Sequence, residues 1–355
     1  MKTISITNEL TLGVDSKCFI IAEAGVNHNG DLDMALKLVD VAADAGADAI
    51  KFQTFKAENI ITKNAPKAQY HIETTGSDKE QSWYELLKTQ ELTREMHLII
   101  QAHCVKKNIL FLSTPYDIDS AKLLNDLGVP LFKVASTDTN NILFLEQLAE
   151  FGKPIILSTA MATVDEIETS VLAIKSKGMD QIVLLQCTGN YPSNFSDANL
   201  LTIKTLASKF NLITGYSDHV MGIYSAVAAV ALGAKVYEKH FTLDKNLPGP
   251  DHRASLSPSE LREVIKAVRE TEAMMGDGKK RVMDSEKANR EILRKRIVAA
   301  RDIEVGHVIS ADDLRVVRAG AIGLDAGKYY QVLGSKAVQK ISSQAAITEA
   351  AIKSN

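Results

Sequence analysis

The chain has 355 residues, of which 45% are apolar and 24% charged, with a formal charge of −3. That composition excludes the disordered and fibrous classes. So small a net charge gives no field to gather a polyanion, so no nucleic-acid partner is expected and any anion must be bound locally.

The length suits one large α/β barrel with an appended domain. The opening residues, MKTISITNELTLG, lack the apolar run of a signal peptide, and the longest apolar stretch, AVAAVALGA at 226–234, is far short of a span. A cytoplasmic protein without a membrane partner is expected. Cys18, Cys104 and Cys187 lie far apart, which suggests neither a disulfide framework nor a thiolate zinc site.

In chain order, the strand candidates are FIIAEAG (19–25), AGADAIKFQT (45–54), ILFLSTPY (109–116), LGVPLFKVAS (127–136), FGKPIILST (151–159), KGMDQIVLLQCT (177–188), LITGYSD (212–218) and LGAKVYEKHFT (232–242). Several follow a glycine suited to closing a helix, such as Gly46, Gly128 and Gly233. Helical patterns separate them, for example DMALKLVDVAADAG and DANLLTIKTLASKF. Near-continuous apolar strands alternating with helices demand a parallel sheet covered on its faces, and eight of them favour a closed (β/α)8 TIM barrel. No G-x-G-x-x-G follows the first strand, which weakens the doubly wound alternative. Residues 1–275 form the expected barrel and 276–295 a charged linker. The short β-prone pieces of 296–355 form a small, mostly β domain.

Barrels of this kind build their sites at the C-terminal strand ends. Alternation places Glu23 with Gly25, Lys51 with Gln53, Gln186 with Thr188, Ser217 with His219 and Glu238 with His240 on shared strand faces. If those faces point inward, the barrel top, with Lys133, holds two lysines, two carboxylates and two histidines. Lys51 and Lys133 converging with Thr114, Ser136 and Ser217 would make a pocket for a small dianion or trianion, and that anion would relieve the cost of burying unpaired ammonium groups. His219 and His240, on strands seven and eight, could approach one ion, and ligand softness alone leans to zinc or iron. The stiff loop NLPGPDH could place Asp251 over the mouth, where it would accept hydrogen bonds from sugar hydroxyls. Asn27, His28 and Asn29 read equally as cap and turn residues or as part of a site.

Taken in order, IIAEAGVNHNGD, KFQTFKA, FLSTP, FKVAS, CTGNYP, GYSDH, EKHFTLD and PGPDH resemble the sialic acid synthase family, the synthases of N-acetylneuraminic and legionaminic acids. The resemblance runs from about residue 17 to about 350 and includes an antifreeze-like (SAF) domain at the C-terminus. It implies a condensation of phosphoenolpyruvate with the open-chain aldehyde of N-acetylmannosamine or, as the alternative, of 2,4-diacetamido-2,4,6-trideoxymannose. The products would be a nine-carbon 2-keto acid and phosphate, with C–O cleavage.

The resemblance also implies a divalent cation, manganese or magnesium, on His219 and His240, in place of the zinc or iron that softness suggested. Lys51, Thr114, Lys133, Ser136 and Ser217 would hold phosphoenolpyruvate, while Gln53, Tyr191, Asp251 and Glu23 would face the N-acetylated amino sugar. Glu23, Lys51 and Lys133 form the implied catalytic set, with Glu23 moving protons. Arg318 would enter from the small domain of the other subunit in a domain-swapped homodimer.

Gly189, the run Ala135-Ser136-Thr137-Asp138 and the Ala-Gly-Ala after Arg318 depart from the family pattern and bear on sugar choice. PGPDH argues against the pseudaminic branch. Two rival readings are a Schiff-base aldolase with Lys51 or Lys133 as nucleophile, and a carbohydrate- or ice-binding small domain on an inert barrel.

Overall fold

The computed structural model describes residues 3–75, 77 and 81–353. Internal contacts divide the chain into two units, 1–276 and 277–355.

The first unit alternates strands and helices. The strands are β1 (Phe19–Gly25), β2 (Ala49–Thr54), β3 (Leu110–Pro115), β4 (Phe132–Val134), β5 (Ile155–Ser158), β6 (Ile182–Cys187), β7 (Ile213–Asp218) and β8 (Val236–His240). Each is followed by a helix: α1 (Leu32–Ala45), α2 (Arg94–Lys106), α3 (Ile118–Asp126), α4 (Ile142–Ala149), α5 (Val164–Ser176), α6 (Thr202–Phe210), α7 (Tyr224–Ala231) and α8 (Pro258–Met275). All eight expected strands are present. The parallel sheet runs β3-β2-β1-β8-β7-β6-β5-β4, and its end strands β3 and β4 pack side by side, so it is rolled nearly into a barrel.

Local chemistry fixes the helix ends. Asp31, Thr93, Asp117 and Thr163 cap the N-termini of α1, α2, α3 and α5 by accepting a backbone N–H. Ser257 and Glu260 form a capping box for α8, with Pro258 in its first turn. Gly46 ends α1 at φ 84°, a left-handed conformation that glycine takes without a Cβ penalty.

Two apolar layers hold this unit together. Outward-facing strand residues such as Ile20, Ile50, Phe132 and Leu184 pack against the helices, while Phe19, Ile21, Leu112, Ile156, Val183 and Val236 fill the barrel interior. The interior layer is continuous with Ile4, Ile6 and Leu12 of a small N-terminal hairpin, Ile4–Ser5 with Thr11–Leu12. Apolar filling toward the strand N-termini leaves the C-terminal ends for polar side chains. Among the described residues, no helix is long and apolar enough to cross a membrane.

The second unit begins with the charged stretch, which carries a short helix, Lys287–Leu293. Beyond it, strands Lys295–Ala299 and Leu314–Arg318 pair antiparallel, as do Lys336–Ala337 and Ile352–Lys353. A separate core of Ile297, Ile303, Ile309, Val332, Ile341 and Ile347 supports them.

Candidate active site

A cavity of about 370 Å³ opens at the C-terminal ends of the strands. Every strand or the residues just after it contribute: Glu23 from β1, Lys51 and Gln53 from β2, Thr114 from β3, Lys133 and Ser136 from β4 and its end. Ser158 comes from β5, Cys187 from β6, Ser217 and His219 from β7 and its end, and Glu238 and His240 from β8. Tyr191 and Asp251 reach it from the loops after β6 and β8. All these lining residues come from the first unit, while Arg318 lies in the second, exposed at the end of its strand. The expected groups, Arg318 aside, therefore meet in one place.

The floor is a network of buried charges. Lys51 Nζ lies 2.6 Å from Glu23 Oε2 and 3.6 Å from Glu238 Oε2, and donates to Thr114 Oγ1 at 2.8 Å. Lys133 Nζ lies 3.5 Å from Glu238 Oε1, which also accepts from Ser217 Oγ at 2.9 Å. This corrects the premise that the lysines are unpaired until an anion binds: two carboxylates already face them. Glu238 is the residue whose part the sequence reading missed. Alternation with His240 put it on the inner face, but a spacing says nothing about which cation a carboxylate will touch.

Burial and partners pull the two glutamates apart. Burial raises Glu23 to about 7 against the opposing pull of Lys51. Burial also acts on Glu238, yet Lys133 and Lys51 outweigh it and hold that carboxyl at about 2. Lys51 is desolvated, but Glu23 and Glu238 keep it above the usual lysine value. Lys133 has less compensation, and burial lowers it. At neutral pH the cavity thus holds one firmly ionised carboxylate and one poised to exchange a proton.

Hydroxyls point the same way. Thr114 Oγ1 accepts from Lys51 and Ser136 Oγ accepts from Ala160 N at 3.0 Å, which leaves both hydroxyl protons for a bound anion. Ser158 Oγ, which the sequence reading did not single out, is buried without a hydrogen-bond partner among the described residues.

The imidazoles of His219 and His240 have ring centroids 5.8 Å apart, and Tyr191 packs on His219 at 3.9 Å. His219 Nδ1 donates to Thr188 O at 2.6 Å, which leaves Nε2 as the ring atom for a ligand; burial opposes the charged form, but Cys187 and the Thr188 carbonyl hold this imidazole above the usual histidine range. His240 Nδ1 is buried without a hydrogen-bond partner among the described residues, 3.9 Å from Asp251 Oδ2. Burial and the neighbouring His219 keep His240 well below the usual histidine range, hence neutral. The neutral His240 and, once its Nε2 proton is displaced, His219 would suit a divalent cation. Among the described residues no cluster of three or more His, Cys, Asp or Glu forms a metal site. A cation here would therefore take its remaining ligands from water or substrate.

Part of the lining is an apolar wall. The segment between β2 and α2 contributes Phe55, Ile60, Trp83, Leu86 and Leu87, and Met161, which abuts Gly189, adds to it. This wall was not legible beforehand, because the segment has no sustained period of either kind.

A barrel whose cavity sets paired lysines and glutamates beside two histidines carries the acid–base groups of an enzyme site. The family comparison makes it specific. Residues 38–280 match the NeuB family and residues 294–353 the SAF domain, and the chain belongs to the NeuB family. It is 45% identical over 94% of its length to N,N'-diacetyllegionaminic acid synthase of Campylobacter jejuni, covering 99% of that protein. It is 40% identical over 93% of its length to the protein of the same name from Legionella pneumophila, covering 93% of that one. The crystal structure of N-acetylneuraminic acid synthetase from Leptospira borgpetersenii superposes with a TM-score of 0.71 at 39% identity, covering 82% of this chain and 95% of that one.

Proposed function

We propose that the protein condenses phosphoenolpyruvate with the open-chain aldehyde of 2,4-diacetamido-2,4,6-trideoxymannose, giving N,N'-diacetyllegionaminic acid and phosphate. The observation that carries this choice is the name shared by the Campylobacter and Legionella relatives. The apolar wall supports it, since a 6-deoxy sugar with two acetamido groups offers methyl groups where N-acetylmannosamine offers hydroxyls. The second reading, N-acetylmannosamine going to N-acetylneuraminic acid, is favoured by the name of the Leptospira structure.

In this reading Lys51 and Lys133 bind the phosphate and carboxylate of phosphoenolpyruvate as cations, with Thr114 and Ser136 donating hydrogen bonds and Ser217 turning its hydroxyl from Glu238 to the anion. Gln53, Tyr191 and Asp251 orient the sugar. C3 of the enol attacks the aldehyde carbon, a water oxygen adds at C2, and the C2–O bond to phosphate breaks to leave the keto group. One water proton passes through Glu23 to the former aldehyde oxygen, and the other leaves with phosphate. His219 and His240 would hold manganese or magnesium, which supplies electrophilic polarisation of the aldehyde. Arg318 would close the mouth from the partner of a domain-swapped homodimer.

The test is phosphate release with each hexose in turn. A kcat/KM about tenfold or more in favour of the trideoxy sugar supports the assignment. The reverse order moves it to N-acetylmannosamine.

A further inference from the structure

The turn after β1 and the loop after β8 are joined by a hydrogen-bond network, buried at Asn27, Thr242, His252 and Ser255 and more open at Asn29, that none of the roles above uses. Asp31 caps α1, so Asn27, His28 and Asn29 are not occupied as that helix's cap. Asn29 sits at φ 50°, in the left-handed region that asparagine tolerates better than most side chains. Its amide points across to the other loop, where Nδ2 donates to Pro248 O at 2.8 Å and Oδ1 lies 3.2 Å from His252 Nε2.

His252 is fully buried, and its Nδ1 lies 2.6 Å from Thr242 Oγ1. One neutral tautomer fits the His252 contacts: Nε2–H donates to Asn29 and the Thr242 hydroxyl donates to Nδ1 in preference to the more distant Asp244 O at 3.1 Å, while Asp244 N–H donates to Thr242 Oγ1 at 3.3 Å. A second branch runs behind Asp251. Asn27 Nδ2 donates to Phe241 O and to Ser255 Oγ, and Ser255 Oγ donates to Asp251 O at 2.7 Å. Gly249, at φ 147°, leaves room for the contact: a Cβ there would lie 2.7 Å from His252 Cδ2 and 2.9 Å from Asn29 Oδ1.

Neither Asn29 nor His252 lines the cavity, whereas Pro250 and Asp251, between Gly249 and His252, do. The loop's ends are anchored by Phe241, Leu243 and Leu256 in the layer between strands and helices, while the stretch from Asp244 to Gly249 is exposed or half-buried. We propose that Asn29 and His252 form a latch between the first and last barrel loops, and that it holds the Asp251 carboxylate over the sugar end of the cavity. Both are positioning residues, and the proposal rests on the reading that Asp251 faces the sugar.

Asn29→Gly tests the latch, because it keeps the left-handed backbone and deletes only the amide. The sugar KM rises about tenfold or more, as misplacement of a binding group demands, while the phosphoenolpyruvate KM and the thermal midpoint stay near wild type. His252→Gln, which keeps an N–H near Nε2, lies closer to wild type than His252→Ala. In a cycle with Asp251→Asn, adding Asn29→Gly raises the sugar KM no further, since the latch acts through that carboxylate. Additive effects, or equal shifts in both KM values, overturn the proposal. Hydrogen exchange of residues 249–256 reads the latch without turnover: faster exchange in Asn29→Gly supports it and unchanged exchange refutes it. Failure of the wild-type chain to use any hexose, with the exchange difference intact, would instead sink the reading of the site.

Discussion

Glu23 and Lys51 are paired across adjacent strands, carboxylate oxygen to ammonium 2.6 Å apart and both buried, and yet burial leaves the carboxyl at about 7. A group accepting a proton from water must be ionised, so kcat is expected to rise with pH through a limb near that value. Glu23→Gln should lower kcat by about 10²–10⁴ and abolish the limb. A limb that survives in this variant assigns the proton to another group.

Glu238 faces both lysines, at 3.6 Å and 3.5 Å. Removing it leaves Lys133 without a carboxylate partner, and breaking a buried ion pair costs about 3–5 kcal/mol. Glu238→Ala should lose that much stability in urea unfolding of the intact chain. Inorganic phosphate should then raise its thermal midpoint more than it raises that of wild type, because the anion replaces the missing charge. Equal phosphate effects on both proteins would remove the lysines from the anion site.

His219→Ala and His240→Ala should each weaken manganese binding, measured by calorimetry, and lower turnover together. The two imidazoles are the cation's only protein ligands in this account. Full activity of either variant under metal-limited conditions would refute the assignment.

Arg318→Ala should raise the KM of the sugar far more than that of phosphoenolpyruvate, and Arg318→Lys should restore little, since an ammonium cannot reproduce the planar fork. Equal effects on both substrates count against its contact with the sugar.

In the SAF domain, Asp313 accepts from Arg301 Nε at 2.6 Å, His307 Nε2 at 2.8 Å, and Ser310 N and Oγ at 2.8 and 2.7 Å. Burial opposes ionisation, but these donors outweigh it and hold the carboxyl well below the usual aspartate range. A depressed value means that its stabilisation is present above about pH 4 and fades as pH falls toward the folded value. Asp313→Asn should cost about 2–3 kcal/mol at neutral pH. Comparable acid sensitivity of wild type and variant would show that the carboxylate contributes nothing.

The barrel was legible because helix-closing glycines and short apolar runs alternate along the whole chain, and that period admits few folds. The inward set was legible for a similar reason: strand alternation pairs Lys51 with Gln53 and Glu238 with His240 before any coordinate is known. Pairing between strands was not. That Glu238, and not solvent or substrate, neutralises Lys133 follows from the barrel's curvature, which no local spacing encodes. The wall around Trp83 belongs to a segment whose short helices are held by tertiary contacts. Asn29 reads locally as a turn residue, and its second role appears only once His252, far along the chain, is brought beside it.

The most direct measurement is mass spectrometry of both products after turnover of phosphoenolpyruvate labelled with ¹⁸O in its C–O–P bridge, with 2,4-diacetamido-2,4,6-trideoxymannose as acceptor. The account expects N,N'-diacetyllegionaminic acid without label and phosphate carrying it. Label retained in the nine-carbon acid, or substrate trapped on Lys51 or Lys133 by borohydride, would contradict it.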